Sequence, residues 1–204
     1  MRSLAASSAA LAVLLLGSAC SGSDDPGGSP SPSSASPTGS DTASPEPTDS
    51  TEPTGSAGPS VDAATGATLE LPHSRVRIPS DWKRMSRLVR TQQDAKDPGS
   101  ASLLSLAEIN AFGSTNSADE LVTSVLRVTR GTYPLTPKRL PNVVVDGVEM
   151  YHLSGKIQPL RWLEEYGAIF SDRIVTLGFE FSPDVSPAER QQVVSSVLAT
   201  FEWR

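Results

Sequence analysis

Few residues in this sequence are suited to catalytic chemistry. The chain has one cysteine and two histidines, His73 and His152, among its 204 residues. Nucleophilic catalysis needs a general base next to the nucleophile, and neither histidine lies in a Gly-x-Ser-x-Gly turn between a strand and a helix. A hydrolase would depend on His152 and a nearby serine such as Ser154 or Ser105. We therefore expect that the protein is not an enzyme, and a hydrolase is the weakest alternative.

Metal and cofactor sites are not expected either. Zinc and thiol sites draw their ligands from several cysteines and histidines, and the single cysteine, Cys20, lies in the N-terminal segment. The sequence contains no glycine-rich loop of the kind that holds phosphates. The sequence therefore indicates no catalytic residue, no metal ligand and no cofactor.

Glu164 is a charged residue that the pattern places among apolar neighbours. The segments 161–170 and 174–181 are joined by a tight turn, which predicts an antiparallel hairpin. Because side chains alternate between the faces of a strand, Trp162, Glu164 and Tyr166 would share the core face. An unpaired carboxylate there is costly and has a raised pKa. These three residues are the candidate ligand-binding site.

Two structural explanations would remove the need for a ligand at Glu164. A bulge near Glu164 and Glu165 would turn both carboxylates outward. Alternatively, an arginine such as Arg161 or Arg75 would pair with Glu164 inside the domain. From the sequence alone, these explanations are favoured over a ligand site.

The first 19 residues have the three parts of a secretory signal peptide. Arg2 provides the positive start, an apolar core follows over residues 9–16, and small residues precede Cys20. The core is 8 residues long, whereas a membrane-spanning helix needs roughly 20. Residues 1–19 are therefore predicted to be a cleaved signal rather than a membrane span.

The end of this signal resembles the lipobox of bacterial lipoproteins. The residues are Leu16-Gly17-Ser18-Ala19-Cys20, with glycine where that family usually has leucine. The resemblance implies cleavage before Cys20 and a diacylglyceryl group on its sulfur, which would anchor the protein to the outer face of the cell membrane. Ordinary secretion is the alternative, because small residues at positions 17 and 19 also satisfy the general cleavage rule. It would leave Cys20 as an unpaired thiol in an oxidising compartment.

Residues 20–66 are predicted to be a disordered tether. Between residues 21 and 60 the chain has 12 serines, 5 threonines, 8 prolines and 6 glycines, and not one Val, Ile, Leu, Met or aromatic residue. Such a segment has nothing to bury against the entropy of folding. As a flexible coil it would span roughly 35 Å, which would hold a domain away from the lipid surface. Its Ser-Pro and Pro-Thr steps suit O-linked sugars and, equally, an unmodified spacer.

Residues 67–204 are predicted to form one domain. They include 16 acidic and 16 basic residues, so the charge of the domain gives no argument for nucleic-acid binding. One segment is locally basic, with Lys83, Arg84, Arg87 and Arg90 interleaved with apolar residues. It suits an anionic headgroup or a phosphate, or else a solvent-exposed face, which is the favoured interpretation.

The pattern of the domain combines strands with two helices. Ser117-x-x-Glu120 is a capping box before an apolar stripe at helical spacing, and Gly131 is expected to end that helix. A second capping box at Ser186 starts the other helix. Prolines indicate an irregular loop over residues 132–142, and three or four strands follow it. The pattern predicts an α+β fold in which an antiparallel β-sheet is covered by two main α-helices.

Four features of the domain together resemble a known fold. They are Arg77-Ile78-Pro79-x-x-Trp82, the mid-chain amphipathic helix, Asp146-Gly147-Val148-Glu149 before a three-strand meander, and a closing helix after Ser186-Pro187. The pattern is similar to the PsbP/DcrB-like fold, especially in the LpqN-type lipoproteins of actinobacteria, over about residues 68–204. The resemblance implies a curved antiparallel sheet between helices, and a binding or assembly factor rather than an enzyme.

These features predict a membrane-anchored, extracytoplasmic lipoprotein with a non-enzymatic binding or assembly role in the cell envelope. Its partner would be an envelope protein, a glycan or a lipid. The alternative is a carrier that holds a lipid or small hydrophobic molecule in a cavity between sheet and helix. A carrier would have a deep apolar pocket, whereas a protein-binding module would have an exposed patch. The sequence does not indicate an oligomeric state.

Overall fold

The computed structural model describes residues 61–111 and 117–204. The predicted signal peptide, Cys20 and the tether up to residue 60 lie outside the described residues. The strands are β1 (Thr68–Glu70), β2 (Ser74–Arg77), β3 (Lys83–Arg84), β4 (Gln92–Lys96), β5 (Leu103–Asn110), β6 (Lys138–Val145), β7 (Val148–Gln158), β8 (Arg161–Phe170), β9 (Arg173–Phe181) and β10 (Glu202–Trp203). The helices are α1 (Ala118–Thr132) and α2 (Pro187–Leu198).

The strands form two antiparallel sheets. The larger sheet has the strand order β3-β4-β5-β9-β8-β7-β6, and the smaller has the order β1-β2-β10. Helix α1 packs on β7 and β8 on one face of the large sheet. Helix α2 and the small sheet pack on the other face. The predicted α+β fold, an antiparallel sheet covered by two main helices, is confirmed.

Each face of the large sheet buries its own core. The core under α2 includes Phe179 and Val197, and the core under α1 includes Val122 and Tyr151, all four fully buried. These surfaces are termed the α2 face and the α1 face. Because alternate residues of a strand point to opposite faces, neighbouring residues of β7 and β8 contribute to two different environments.

Both helices begin where their capping residues predict. The hydroxyls of Ser117 and Ser186 each accept a hydrogen bond of 3.2 Å from the backbone N–H three residues further on. The end predicted for α1 at Gly131 is wrong, since the helix continues to Thr132 and Tyr133 is extended. The proline that follows disfavours helical backbone at Tyr133. Within the described ranges, neither helix is long and apolar enough to cross a membrane.

The irregular loop predicted for residues 132–142 is shorter than expected, because β6 already begins at Lys138. The strand contains Pro141, and its pairing with β7 shifts register between Leu140 and Val143. Proline has no N–H to donate, so it is tolerated in a sheet at a bulge or on an edge strand. β6 is one of the two edge strands of the large sheet and meets both conditions.

The domain begins before the boundary predicted at residue 67. The backbone N–H of Ala64 donates to the carbonyl of Ser196, and that of Gly66 donates to Ile78, both at 2.9 Å. A Cβ at Gly66 would lie 2.4 Å from the carbonyl oxygen of Pro79 and 2.5 Å from that of Ile78, so only glycine fits this close approach. The last residues assigned to the tether therefore belong to the domain.

Candidate functional site

The three residues of the predicted ligand site lie on the α2 face, as the strand alternation predicts. The register of β8 with β9 places Glu164 opposite Phe179, which is fully buried. On the other side of β8, strand β7 places His152 opposite Tyr166 and Ser154 opposite Glu164. The side chains gathered here are termed the His152 network: His152, Ser154, Trp162, Glu164 and Tyr166.

Glu164 is the centre of the His152 network, and its two oxygens take three hydrogen bonds. The hydroxyl of Ser154 and the indole N–H of Trp162 each donate to Oε1 at 2.7 Å. The Nε2 atom of His152 lies 2.8 Å from Oε2. The His152 ring stacks on Tyr166 with 4.3 Å between ring centroids. The side chains of His152 and Glu164 are each 15% exposed, so the protein's own donors hold a largely buried carboxylate.

The expected rise of the Glu164 pKa is wrong. Burial acts to raise the pKa of this carboxyl. The hydrogen bonds from His152, Ser154 and Trp162, together with the charge of His152, outweigh burial and hold the pKa below its usual value. A carboxylate with three donors is stabilised in its ionised form, whereas the expectation assumed that Glu164 had no partner.

Neither of the structural explanations considered for Glu164 applies. β8 pairs with β7 and with β9 without a register shift at residues 164 and 165. Arg161 donates to the carbonyl of Ala101, and Arg75 pairs with Glu202. The compensating group is a histidine from the adjacent strand rather than an arginine.

The His152 network does not have the connectivity of a nucleophile and its base. Ser154 donates its hydroxyl proton to Glu164 rather than to His152. Ser105 lies on the α1 face, where its hydroxyl donates to Asp94. In a serine hydrolase the histidine accepts the serine proton. In this protein the carboxylate instead orients the groups around it, and the geometry gives the hydrolase alternative no support.

His73 has the same kind of partners as His152. Glu108, which is 4% exposed, accepts hydrogen bonds from the His73 backbone N–H at 3.0 Å and from the Ser74 hydroxyl at 2.7 Å. Its other oxygen lies 3.2 Å from Nδ1 of His73. Glu108 belongs to the large sheet and Ser74 to the small one, so these bonds join the two sheets. We assign this cluster a structural role.

Another buried carboxylate, Glu165, lies on the α1 face and was not a candidate site residue in the sequence. It is 5% exposed and accepts a hydrogen bond of 2.7 Å from the Tyr151 hydroxyl. Burial raises the pKa of Glu165, and the charge of Glu180 adds to the rise, while the Tyr151 hydrogen bond opposes it. Burial also raises the pKa of Glu180, against the charge of Arg161. Burial and these two acids raise the pKa of Tyr133 to about 12.

The α1 face is left partly open beside these acids. Helix α1 covers β7 and β8, whereas seven residues of β4, β5 and β9 on this face are only half-buried. A methyl group added at Gly178, which lies opposite Glu165, would have no atom within 4 Å. This surface is termed the open face and consists of Gln92, Asp94, Ser105, Ala107, Thr176, Gly178 and Glu180.

A separate cleft of about 710 Å³ lies beside α2 and is rich in acids. Its walls include Asp62, Asp81, Asp97, Asp184 and Glu189. Over residues 61–111 and 117–204, no three side chains of His, Cys, Asp or Glu are grouped so that they could hold a metal ion. We therefore assign no ligand to this cleft.

Comparison with known proteins bears on the fold. No protein-family model matches the chain, and no curated protein sequence matches it. The Ran-binding protein Mog1p of Saccharomyces cerevisiae is similar in structure, with a TM-score of 0.50 and 10% identity over 69% of this chain and 96% of that chain. Cyanobacterial PsbP from Synechocystis gives a TM-score of 0.49 and 10% identity over 64% of this chain and 86% of that chain.

The similarity to Mog1p shows a shared fold, and a fold by itself does not specify a partner or an activity. The α+β fold expected from the sequence agrees with the fold that the chain shares with Mog1p. The lipoprotein class, the LpqN-type resemblance and the actinobacterial source stay predictions.

Glu164 and Glu165 are neighbours in sequence, and their contributions to stability should depend on pH with opposite signs. The folded-state pKa of Glu164 is lowered, so its contribution to stability is present above about pH 4.5 and is lost as the pH falls. The folded-state pKa of Glu165 is raised, so its contribution is present below about pH 4.5 and is lost as the pH rises through the folded value. We expect Glu164→Gln to destabilise by about 1–3 kcal/mol at neutral pH, with a smaller difference in acid. Glu165→Gln should gain stability relative to the wild type as the pH rises.

Thermal unfolding of both variants and the wild type, from about pH 3 to about pH 8, measures these differences. In Glu164→Gln the amide oxygen still accepts a hydrogen bond from the Ser154 hydroxyl, and in Glu165→Gln it still accepts one from the Tyr151 hydroxyl. Each substitution therefore mainly removes the charge. If the two variants differ from the wild type with the same dependence on pH, the two carboxyls do not have opposite shifts.

Proposed function

We propose that the protein is a lipid-anchored lipoprotein of the cell envelope that binds a partner protein and has no enzymatic activity. A diacylglyceryl group on Cys20 would anchor it to the outer face of the cell membrane, and the partner would dock on the open face. The observation that supports this docking site most directly is the gap above Gly178, which pairs with Glu165 across the sheet and lies two residues before Glu180.

The groups around the gap favour a partner that presents a hydrogen-bond donor. The open face supplies carboxyl, hydroxyl and amide groups, and the Tyr151 hydroxyl occupies one oxygen of Glu165. The raised pKa values of Glu165 and Glu180 reflect burial and, for Glu165, repulsion from the other acid. A lysine or arginine side chain that enters above Gly178 would reduce that repulsion. A basic side chain of a partner protein has the reach and the charge for this position.

The structure gives less support to the carrier alternative. A carrier was expected to have its cavity between the sheet and a helix. The space between the sheet and α2 is filled by packed side chains such as Phe179, Phe181, Val194 and Phe201, each of which is at most 4% exposed. A ligand of the size of a lipid would have to displace this core, which would cost several kcal/mol in lost packing (about 3–5 kcal/mol for one large side chain).

Site-specific photo-cross-linking in cells tests the docking surface. A photoreactive phenylalanine analogue at Ala107, on the open face, should give one discrete protein adduct. The same group at Gln191, on the exposed side of α2, is the matched control and should give none. Gly178→Gln fills the gap and should abolish the adduct from position 107 while the amount of protein stays unchanged. Equal adducts from positions 107 and 191, or an adduct that persists in the Gly178→Gln background, would reject the open face as the docking site.

A further inference from the structure

The tip of the β3–β4 hairpin is both apolar and cationic. Leu88 is 79% exposed and Val89 is 52% exposed, although burial of such side chains is favourable. Between residues 82 and 93 the chain has four basic residues and no acidic one. The basic residues are exposed. The tip therefore presents an apolar point surrounded by positive charge.

The shape of this tip is fixed by the chain itself. The guanidinium of Arg87 donates hydrogen bonds to the backbone carbonyls of Val89, at 3.2 Å, and Arg90. These bonds close the turn that carries Leu88. The turn needs little further ordering when it binds, which reduces the entropic cost of association.

The hairpin carries a net positive charge. The register of β3 with β4 places Lys96 opposite Lys83 and adds a fifth cation. The acid of this hairpin is Asp94, and its carboxylate accepts hydrogen bonds from Gln92 at 2.8 Å and from Ser105 at 2.6 Å on the α1 face. It is therefore engaged with the sheet rather than with the cations of the tip.

We propose that this hairpin tip is a second membrane contact, in which Leu88 and Val89 enter the interface of an anionic bilayer. Lys83, Arg84 and Arg90 would lie against the lipid headgroups. Exposed apolar side chains next to a basic cluster are the two components of reversible membrane binding, and each reinforces the other. Positive charge complements an anionic lipid surface, which is the reason for choosing a membrane over a partner protein. The contact goes beyond the proposed function, because it does not depend on Cys20.

A weak contact of this kind would be effective in an anchored protein. An anchor on Cys20 would keep the hairpin at a high effective concentration at the membrane surface, so the second contact becomes an intramolecular event. The domain would then alternate between a state bound to the bilayer and a state held away from it on the extended tether.

Vesicle co-sedimentation tests the contact in the absence of an acyl chain. The protein is residues 20–204 with Cys20→Ser, and the vesicles are phosphatidylglycerol mixed with phosphatidylcholine, or phosphatidylcholine alone. We expect binding to the anionic vesicles that weakens as salt increases. Leu88→Ser with Val89→Ser should weaken it about tenfold, and each of Arg84→Gln and Arg90→Gln about fivefold.

Leu160→Ser is the matched control, because Leu160 is 67% exposed but lies at the turn between β7 and β8. This substitution should leave vesicle binding unchanged. The proposal is overturned if the chain does not bind anionic vesicles, if it binds both vesicle types equally, or if the control weakens binding as much as the tip variants do. Thermal unfolding of each variant should match that of the parent, since all the substituted side chains are exposed.

Discussion

Replacing Cys20 with serine should move the protein from the membrane fraction to the soluble fraction and abolish its labelling by a radioactive fatty acid. The sulfur of Cys20 is the atom that would carry the diacylglyceryl group. Two or more acyl chains give stable anchoring, whereas one chain is marginal. The acyl chains would therefore account for most of the membrane affinity of the protein, and the effect of losing them should be nearly complete.

The readout for this prediction is fatty-acid labelling together with detergent-phase partitioning in cells of the native host. Ser21→Ala is the matched control, since it alters the neighbouring residue and leaves the thiol. Membranes are washed at high salt to remove the weaker contact proposed for the hairpin tip, which is electrostatic in part. If Cys20 is only a free thiol of a secreted protein, the wild type will carry no label and will be found in the medium, and the anchoring proposal will fail.

The fold was predictable from the sequence where local signals agree with one another. The hairpin of β8 and β9 and the start of α2 were located by alternation, by a tight turn and by a capping box, and all depend on residues within about ten positions of each other. The predicted end of α1 at Gly131 failed because Pro134 acts on the backbone of Tyr133. The part of β6 before Val143 was missed because proline normally excludes strand, and the edge position that permits it is a property of the whole sheet.

The surroundings of Glu164 were predictable only in part. The alternation of side chains along β8 placed Glu164 correctly between Trp162 and Tyr166, but it gave no information about the neighbouring strand β7. His152 and Ser154 reach Glu164 because β7 pairs with β8 in one particular register, and register is a long-range property. One signal was available: a carboxylate on a core face requires donors, and His152 with Ser154 is a polar pair at the same spacing on a neighbouring strand.

Glu165 was missed for a different reason. The hairpin pattern assigned only the face of Glu164 to the core and made no assignment for the face that carries Glu165. Strands covered on both faces tend to be apolar throughout, and β8 contains Leu163, Gly167 and Ile169 on the face of Glu165. These residues are a signal that a second layer covers the strand, and α1 is that layer.

The two faces of β8 therefore have different environments. On the α2 face, Glu164 is satisfied by three donors and the surrounding core is full. On the α1 face, Glu165 lies beside an unfilled space above Gly178. A carboxylate that is already satisfied gains little from a ligand, whereas a buried one with a raised pKa gains from a new donor. This difference is why the proposed docking site is the open face rather than the Trp162, Glu164 and Tyr166 set.

Gly167→Ala should destabilise the domain by about 2–4 kcal/mol, through overpacking and the loss of a buried hydrogen bond. A Cβ at Gly167 would lie 2.5 Å from Cε1 of Tyr151, 2.6 Å from Cζ and 2.7 Å from the hydroxyl oxygen. The Tyr151 ring is fully buried between the sheet and α1, so it cannot move without disturbing the core. Any shift of the ring also lengthens its hydrogen bond to Glu165 and leaves a buried carboxyl without its donor.

Gly178→Ala is a closely matched control for this substitution. It makes the same chemical change on the adjacent strand and on the same face, but it adds the methyl group to open space. We expect it to change the free energy of unfolding by less than about 0.5 kcal/mol. Urea unfolding measures both variants, and equal costs would show that the contact with Tyr151 is not the cause.

A double-mutant cycle separates the ring contact from a general effect of alanine in a strand. In a Tyr151→Ala background, Gly167→Ala should cost much less than it does in the wild type, with a coupling of about 2 kcal/mol. In a Tyr151→Phe background its cost should stay high, because the ring carbons that meet the new methyl group are still present. If Tyr151→Ala reduces the cost of Gly167→Ala and Tyr151→Phe does not, the ring of residue 151 is the obstacle. Gly167 is then glycine because the Tyr151 ring must lie across the strand to reach Glu165, and the position of this buried carboxyl beside the open face depends on that packing.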